Sequence, residues 1–424
     1  MLLTYNYILL SIMERSIDTL LQKSKLSKDK KLLLQCLRLD KIPDLSEFTW
    51  VEELNLGNNY ISTIEKNKLP PNLTILNIYQ NKLVDVKAEE IPETVHTLNV
   101  HSNFINIFNG TEFKNIKRLF INLNKLTDIK YPPNIELLDV SDNLLKTLDD
   151  FPPNLTDIDC SNNEIKKLPA LNNKLLRIDF SHNSIKDFPD FPDGTTTIIG
   201  ITNGCTVINK VPSSIEELNM KDNRINEIKC IFPPSLTNLN LCDNSLMIMP
   251  DLPTNIEQVD LSSNRIQIIK EIPESVKILD ISDNCLTSIP DDLLKRNIKL
   301  IHDKNYTGSS DEDNECNDAF YSFAGILKPT NENNNTNINS DNKQSANLLA
   351  PITNSTYQPF SGTGYPLGNN SSHNYTNYFN KSNSLTNWHL DRWRSETMSI
   401  YSNTKAKKDN PNYVSIKNKK NIIV

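Results

Sequence analysis

Apolar and polar positions along this 424-residue chain follow a frame that recurs about every 20 residues. The frame reads L-x-x-L-x-L-x-x-N, and apolar residues also occupy the second and fifth positions after its asparagine. In the copy that ends at Asn143 the apolar positions hold Ile135, Leu138, Val140, Leu145 and Leu148. Twelve copies carry the asparagine, at Asn59, Asn81, Asn103, Asn124, Asn143, Asn163, Asn183, Asn203, Asn223, Asn244, Asn264 and Asn284.

The apolar positions of the frame are filled far beyond chance. Of the 60 positions in twelve copies, 58 are apolar, whereas a chain that is 37% hydrophobic would fill about 22 at random. The exceptions are Thr195 and Gly200, in a copy that predicts a local kink or contact site, with sequence drift as the alternative. Alternation of the type Leu138-Asp139-Val140 predicts one short strand per copy, with its apolar side chains pointing inward.

Between about residues 32 and 305 the sequence resembles the leucine-rich repeat family, and its short repeats resemble those of bacterial secreted effectors. The resemblance implies an α/β-type solenoid dominated by short parallel β-strands, wound as a right-handed horseshoe. The asparagine follows each strand, where a buried amide that donates and accepts would satisfy the backbone of adjacent coils. The twelve asparagines are therefore predicted to form a structural asparagine ladder.

Prolines precede many of the strands by two or three residues, for example at Pro132-Pro133, Pro152-Pro153 and Pro253. Proline fixes φ and disfavours the helical region for the residue before it. The convex side is therefore predicted to be extended or polyproline-like. The proline-free stretch from Phe108 to Ile121 favours a helical turn instead.

Composition and repeat pattern divide the chain into three parts. Residues 1–31 are predicted to be an N-terminal segment with a helical cap, and Met13 is an alternative start to Met1. Residues 32–305 form the predicted solenoid, with twelve clear repeats and degenerate first and last coils. Residues 306–424 are rich in Asn, Ser and Thr, which predicts a mostly disordered tail.

Charge and motifs exclude several classes of function. The formal net charge is -7, and residues 31–305 alone hold 29 basic and 39 acidic residues, which argues against a nucleic-acid-binding protein. No apolar run is long enough for a membrane span. The sequence contains no HExxH, GxGxxG or P-loop motif, so neither a metal nor a cofactor is predicted. The seven dispersed cysteines favour an intracellular, cytoplasmic protein, while the apolar residues 1–12 leave secretion open.

The outward positions of the predicted strands carry the candidate binding residues. Apolar side chains there are unusual and favour partner contacts, although scattered surface apolar residues are also normal. Neighbouring aspartates would lie about 4.8 Å apart, which favours a basic partner unless they are simply solvated or Arg177 neutralises them from the adjacent column. The predicted partner-binding residues are Tyr79, Phe120, Leu137, Asp139, Asp159 and Asp179.

The sequence therefore favours a monomeric, non-enzymatic protein-interaction scaffold that binds an unknown protein on its concave face. A secreted or host-directed effector with the same binding chemistry is the first alternative. The second is a ubiquitin ligase, because Cys316-Asn317-Asp318 resembles the Cys-x-Asp nucleophile motif that follows the repeats in some bacterial effectors. Only 108 residues of low-complexity chain follow Cys316, too few for the helical domain of that family.

Overall fold

The computed structural model describes residues 16–305, and the predicted disordered tail and Cys316 lie outside this range. Its main element is a parallel sheet of 14 strands, in the order β1-β2-β3-β4-β6-β8-β9-β10-β11-β13-β15-β16-β17-β18. The strands of the chain are β1 (Lys31–Leu33), β2 (Glu53–Asn55), β3 (Ile75–Asn77), β4 (Thr97–Asn99), β5 (Ile107–Asn109), β6 (Arg118–Phe120), β7 (Asp128–Lys130), β8 (Leu137–Asp139), β9 (Asp157–Asp159), β10 (Arg177–Asp179), β11 (Thr197–Ile199), β12 (Val207–Ile208), β13 (Glu217–Asn219), β14 (Glu227–Ile228), β15 (Asn238–Asn240), β16 (Gln258–Asp260), β17 (Ile278–Asp280) and β18 (Lys299–Ile301).

Each of the twelve repeats contributes one strand to this sheet, and β1 and β18 add the first and last coils. The middle residue of a strand is an apolar position of the frame, such as Leu138 in β8, and it is fully buried. The pairing is in register, so that Leu138 lies beside Leu119 on one side and Ile158 on the other. One apolar core therefore runs through the solenoid, as the frame predicts.

The asparagine at the end of each frame bonds to two coils. The Asn143 amide donates to the carbonyls of Val140 (3.0 Å) and Ser141 (3.0 Å) in its own coil and to that of Ile121 (3.2 Å) in the preceding coil. Its oxygen accepts the N–H of Leu126 at 3.0 Å. The same pattern recurs along the solenoid, for example at Asn163 and Asn264, and forms an asparagine ladder.

The prolines begin hydrogen-bonded turns that lead into the strands. The N–H of Ile135 donates to the carbonyl of Pro132, and that of Leu155 donates to the carbonyl of Pro152. Outside these turns, the convex side has two 3-10 turns, Lys66–Lys68 and Ala88–Glu90, and two short ladders, β5–β7 and β12–β14. The helical turn predicted between Phe108 and Ile121 was wrong, since β5 and tight turns occupy this stretch. Its Phe108 is a buried strand residue instead.

The core accommodates both exceptions to the apolar frame. A Cβ at Gly200 would collide with the ring of Phe180 and the sulfur of Met220, so these side chains already occupy the space of the missing one. Thr195 is fully buried, and its hydroxyl donates to the carbonyl of Leu175 at 2.9 Å. The exceptions thus preserve the core without interrupting the sheet.

Short helices cover the two ends of the sheet. Helix α1 (Ile17–Ser27) begins at Ser16, whose hydroxyl accepts the N–H of Thr19, and packs Ile17, Leu20 and Leu21 against the core. Helix α2 (Asp291–Lys295) precedes β18. After α2, the Arg296 guanidinium donates to the carbonyls of Ile272 and Pro273 at 2.8 and 2.7 Å. Among residues 16–305, no helix is long and apolar enough to cross a membrane.

Candidate functional site

The outward face of the 14-stranded sheet, which is the concave face of the horseshoe, carries three columns of side chains. The entry column consists of the first residue of each strand, such as Leu137. The central column consists of the third, such as Asp139. The exit column consists of the residue two positions after the central one, such as Ser141, which is also two positions before the ladder asparagine.

The structure brings the three predicted aspartates together in the central column. Strand register places Asp139 beside Asp159 and Asp159 beside Asp179. Phe120 lies beside Asp139 at one end of this group, and Ile199 lies beside Asp179 at the other. Three carboxylates thus form a continuous acidic segment between two large apolar side chains.

These aspartates are buried rather than solvated, with exposed fractions of 6% for Asp139, 4% for Asp159 and 8% for Asp179. Asp139 Oδ1 accepts the N–H and the hydroxyl of Ser141 at 3.1 and 2.7 Å. The same two bonds, at 3.0 and 2.6 Å, join Ser161 to Asp159. The motif Asp-x-Ser thus fixes each carboxylate above its own turn.

Burial and the charge of Asp159 disfavour the charged forms of Asp139 and Asp179. Desolvation, followed by the charge of Asp159, raises the pKa of Asp179 to about 7. The same two causes raise the pKa of Asp139 well above its ordinary value. The column therefore gains by contact with a cationic group, and it also gains by protonation.

The apolar residues predicted for the site differ in how far a partner can reach them. Phe120 and Tyr79 are half-buried, whereas Leu137 is 9% exposed and offers little surface. The ring of Tyr79 stacks on that of His101, with centroids 4.8 Å apart and planes within 3°. A Cβ at Gly57 would collide with the Tyr79 ring, so this glycine makes room for the stack. Of the three predicted apolar residues, Phe120 and Tyr79 are therefore the two that a partner can reach.

Several residues of this face were missed by the sequence analysis. Asp157, in the entry column, is buried beside the central aspartates, and its carboxylate lies 4.0 Å from the Arg177 guanidinium. Ile199, which lies beside Asp179 and ends the acidic segment, is a second such residue. The recurring Asp-x-Ser motif is the signal by which the sequence could have revealed that the aspartates are anchored.

The described residues offer little for catalysis. No group of three or more His, Cys, Asp or Glu side chains within residues 16–305 is arranged to hold a metal ion. Burial raises the pKa of the Cys160 thiol well above its ordinary value and that of Cys205 to about 12, so both resist becoming thiolates.

The fold is similar to that of several solved structures. No protein-family model matches the chain, and no curated protein is similar to it in sequence. YopM from Yersinia enterocolitica is 25% identical, with a TM-score of 0.55, and the match covers 68% of this chain and 67% of YopM. A leucine-rich repeat protein of Leptospira interrogans is 21% identical, with a TM-score of 0.52, over 67% of this chain and 87% of the other. The chain has the leucine-rich repeat fold, with short coils that match the bacterial effector type.

Proposed function

We propose that this protein is a non-enzymatic binding scaffold that takes a protein partner on the concave face of its sheet. The observation that carries the proposal is the central column, in which Asp139, Asp159 and Asp179 are stacked between Phe120 and Ile199. Burying like charges side by side is unfavourable unless a cation or a proton compensates them. A protein surface with basic groups between apolar ones supplies that compensation.

The dimensions of the column define the partner further. Four strand steps separate Phe120 from Ile199, which is about 19 Å at about 4.8 Å per step. A partner would place an Arg or Lys over the carboxylates and an apolar side chain against Phe120. Tyr79 lies in the exit column two coils before Phe120 and adds an aromatic contact on the same face. Buried aromatic anchors and desolvated charge pairs contribute most of the energy at protein interfaces.

The full-length chain can test this proposal as bait. Partners captured by wild type are measured by binding kinetics against Phe120→Ala and against the double variant Asp159→Asn, Asp179→Asn. Loss of the anchor is expected to cost more than about 1 kcal/mol, mainly through faster dissociation. Loss of the carboxylates is expected to weaken binding less as salt rises, because part of the attraction is screened.

Asp260 provides a matched control for the aspartate variants. It lies in the same central column and accepts the N–H and hydroxyl of Ser262 at 3.1 and 2.6 Å, four coils from Asp179. Asp260→Asn is therefore expected to leave the affinity unchanged. Equal affinity for wild type, Phe120→Ala and the double variant would move the binding surface away from the concave face.

An effector role for the same scaffold is the second candidate, and the short coils that match the bacterial effector type favour it. The two roles share their binding chemistry and differ in where the partner resides. An export assay on the full-length chain separates them, since a host-directed protein must appear outside the producing cell. Retention of the chain inside the cell, with a partner from that cell, would leave the scaffold role alone.

A further inference from the structure

A second surface lies at the side of the solenoid where the chain leaves the strands. Its most regular part is the position directly after the ladder asparagine, occupied in five consecutive coils by Tyr60, Lys82, Phe104, Lys125 and Leu144. Three more apolar residues flank this column, namely Val84, Ile107 and Leu123. We call these eight residues the lateral stripe.

The apolar members of the lateral stripe are open to solvent. Their exposed fractions range from 46% for Tyr60 and Leu144 to 62% for Val84. They account for six of the thirteen exposed large hydrophobic residues in the described part of the chain, yet they occupy only five coils. Such a concentration of exposed apolar side chains within five neighbouring coils favours an interaction site.

Backbone hydrogen bonds hold the column in register. The N–H of Lys82 donates to the carbonyl of Ile61, and the N–H of Phe104 donates to that of Leu83, both at 2.8 Å. Lys125 and Leu144 repeat the bond to the coil before them at 2.9 Å. The side chains therefore follow one another at the spacing of the coils, about 4.8 Å, with apolar and basic residues alternating.

The charge of the stripe opposes that of the solenoid around it. At the first and third positions after the ladder asparagines from Asn59 to Asn163, the charged side chains are Lys82, Lys125, Lys146, Lys166 and Glu164. The one acid among them, Glu164, pairs with Lys146 at 3.7 Å. Asp85 and Asp128 lie one position further along the chain, in the coils on either side of Ile107, which occupies the same position. The stripe is thus a basic and apolar strip on an acidic solenoid.

The lysines also restrict what the aromatic rings can contact. Lys82 Nζ lies 4.7 Å from the centroid of the Tyr60 ring, and Lys125 Nζ lies 5.0 Å from that of Phe104. Ring faces covered by lysines are not open platforms for stacking nucleic-acid bases. The side chains of the column follow one another in a register fixed by backbone hydrogen bonds between coils, and the apolar ones alternate with lysines, which disfavours insertion into a lipid surface.

We propose that the lateral stripe docks an acidic amphipathic helix of a partner protein, lying along the axis of the solenoid. A helix advances 5.4 Å per turn, close to the spacing of the coils, so that one turn meets one coil. Over four coils the mismatch is about 2.4 Å, which flexible lysines accommodate. The helix would carry an apolar residue on one turn and Asp or Glu on the next. Its apolar residues would then contact the apolar residues of the stripe, and its carboxylates would contact the lysines.

The probe is a synthetic helical peptide of about 18 residues, or five turns, with Leu and Glu alternating on successive turns of one face. Its binding to the full-length protein is followed by fluorescence anisotropy. Wild type is expected to bind it, and a matched peptide with Lys in place of Glu is not. Phe104→Ser and the double variant Lys82→Glu, Lys125→Glu are each expected to weaken binding at least tenfold.

Two control variants lie in the coil of Asn264. Arg265→Glu reverses a charge in the same column, and Ile268→Ser removes an exposed apolar side chain. Neither is expected to change the affinity, and nor is Phe120→Ala on the concave face, so this proposal and the concave-face proposal fail independently. Leu123→Asn adds a stripe variant that retains the fold, because asparagine tolerates the positive φ of 53° at this position, and it is also expected to weaken binding.

Several outcomes overturn the proposal. They are failure of the Glu peptide to bind, equal binding of the Lys peptide, and equal loss in the control variants. Binding of phosphatidylserine vesicles or of a single-stranded oligonucleotide in place of the peptide, with loss in Phe104→Ser, would assign the stripe to a different class of ligand.

Discussion

The ring of Phe180 occupies the space in which a side chain on Gly200 would lie. Gly200→Ala is therefore expected to overpack the core and lower the free energy of unfolding by about 1–3 kcal/mol. Gly194 is the control, because the nearest atom to an added Cβ there is 3.9 Å away. Denaturant unfolding should show Gly194→Ala close to wild type and Gly200→Ala partly rescued by Phe180→Leu. A neutral Gly200→Ala would contradict the packing described here.

The pair formed by Phe180 and Gly200 also shows what the sequence can predict. A periodic frame defines the coil, the strand and the inward side chains, because each depends only on spacing within one repeat. Gly200 breaks the frame, and only the positions of its neighbours reveal that Phe180 compensates for it. The fold was therefore predictable almost throughout, whereas its exceptions required contacts between coils.

The candidate site was less predictable for the same reason. Spacing placed Asp139, Asp159 and Asp179 in one column, as the structure has them. Their burial depends on bonds to serines two residues later and on packing between coils, which the analysis of outward positions did not consider. The lateral stripe was missed because alternation of Tyr60, Lys82 and Phe104 is visible only when the loops of successive coils are aligned.

Removal of a ladder asparagine should destabilise the solenoid. Asn143→Ala would leave the N–H of Leu126 and the carbonyls of Ile121 and Val140 without their side-chain partner. We expect a loss of about 1–3 kcal/mol in the free energy of unfolding, measured by denaturant titration. Asn106→Ala, at an exposed position in a neighbouring coil, serves as the control. If both variants unfold at the same denaturant concentration, the asparagine bonds contribute nothing measurable.

Stability should depend on pH through the acidic column. The pKa of Asp179 is about 7 in the folded chain against an ordinary 3.8. The unfolded chain therefore loses this proton first as pH rises, and the contribution of Asp179 to stability falls between about pH 4 and pH 7. Protonated Asp179 is compatible with the fold, and the charged form is penalised.

Asp179→Asn should remove that penalty, since an amide oxygen can still accept the N–H of Ser181. At pH 8 the variant should be more stable than wild type by more than about 1 kcal/mol, because one whole-number difference in pKa corresponds to about 1.4 kcal/mol. Near pH 4 the two should be equal. The exposed Asp190→Asn provides the comparison. Unfolding curves that shift equally at both pH values would exclude a titrating Asp179.

Leu123 occupies a backbone conformation that suits other residues better. Its φ is 53°, in the left-handed region, where a side chain costs about 1–2 kcal/mol and asparagine is tolerated best. Leu123→Asn should therefore raise the free energy of unfolding by up to about 1 kcal/mol, although an apolar side chain is lost. The control is Leu144→Asn, an equally exposed position without a positive φ. A loss of stability at Leu123 would show that its side chain is needed for packing.

The asparagine ladder also determines which changes of length the chain can accept. Asn163 bonds to its own coil and to the coil before it, through Val140 and Leu145, and Asn203 bonds in the same way through Phe180 and Ile185. Removing residues 164–183 would offer Asn203 the carbonyl of Cys160 in place of that of Phe180 and would leave it the N–H of Ile185, so that the new junction keeps the bonding scheme. The concave face and the lateral stripe would then be lengthened or shortened in whole steps of about 4.8 Å. Insertion or loss of half a coil would instead separate a ladder amide from the carbonyls that it bonds. The length of the solenoid can therefore change only by whole coils.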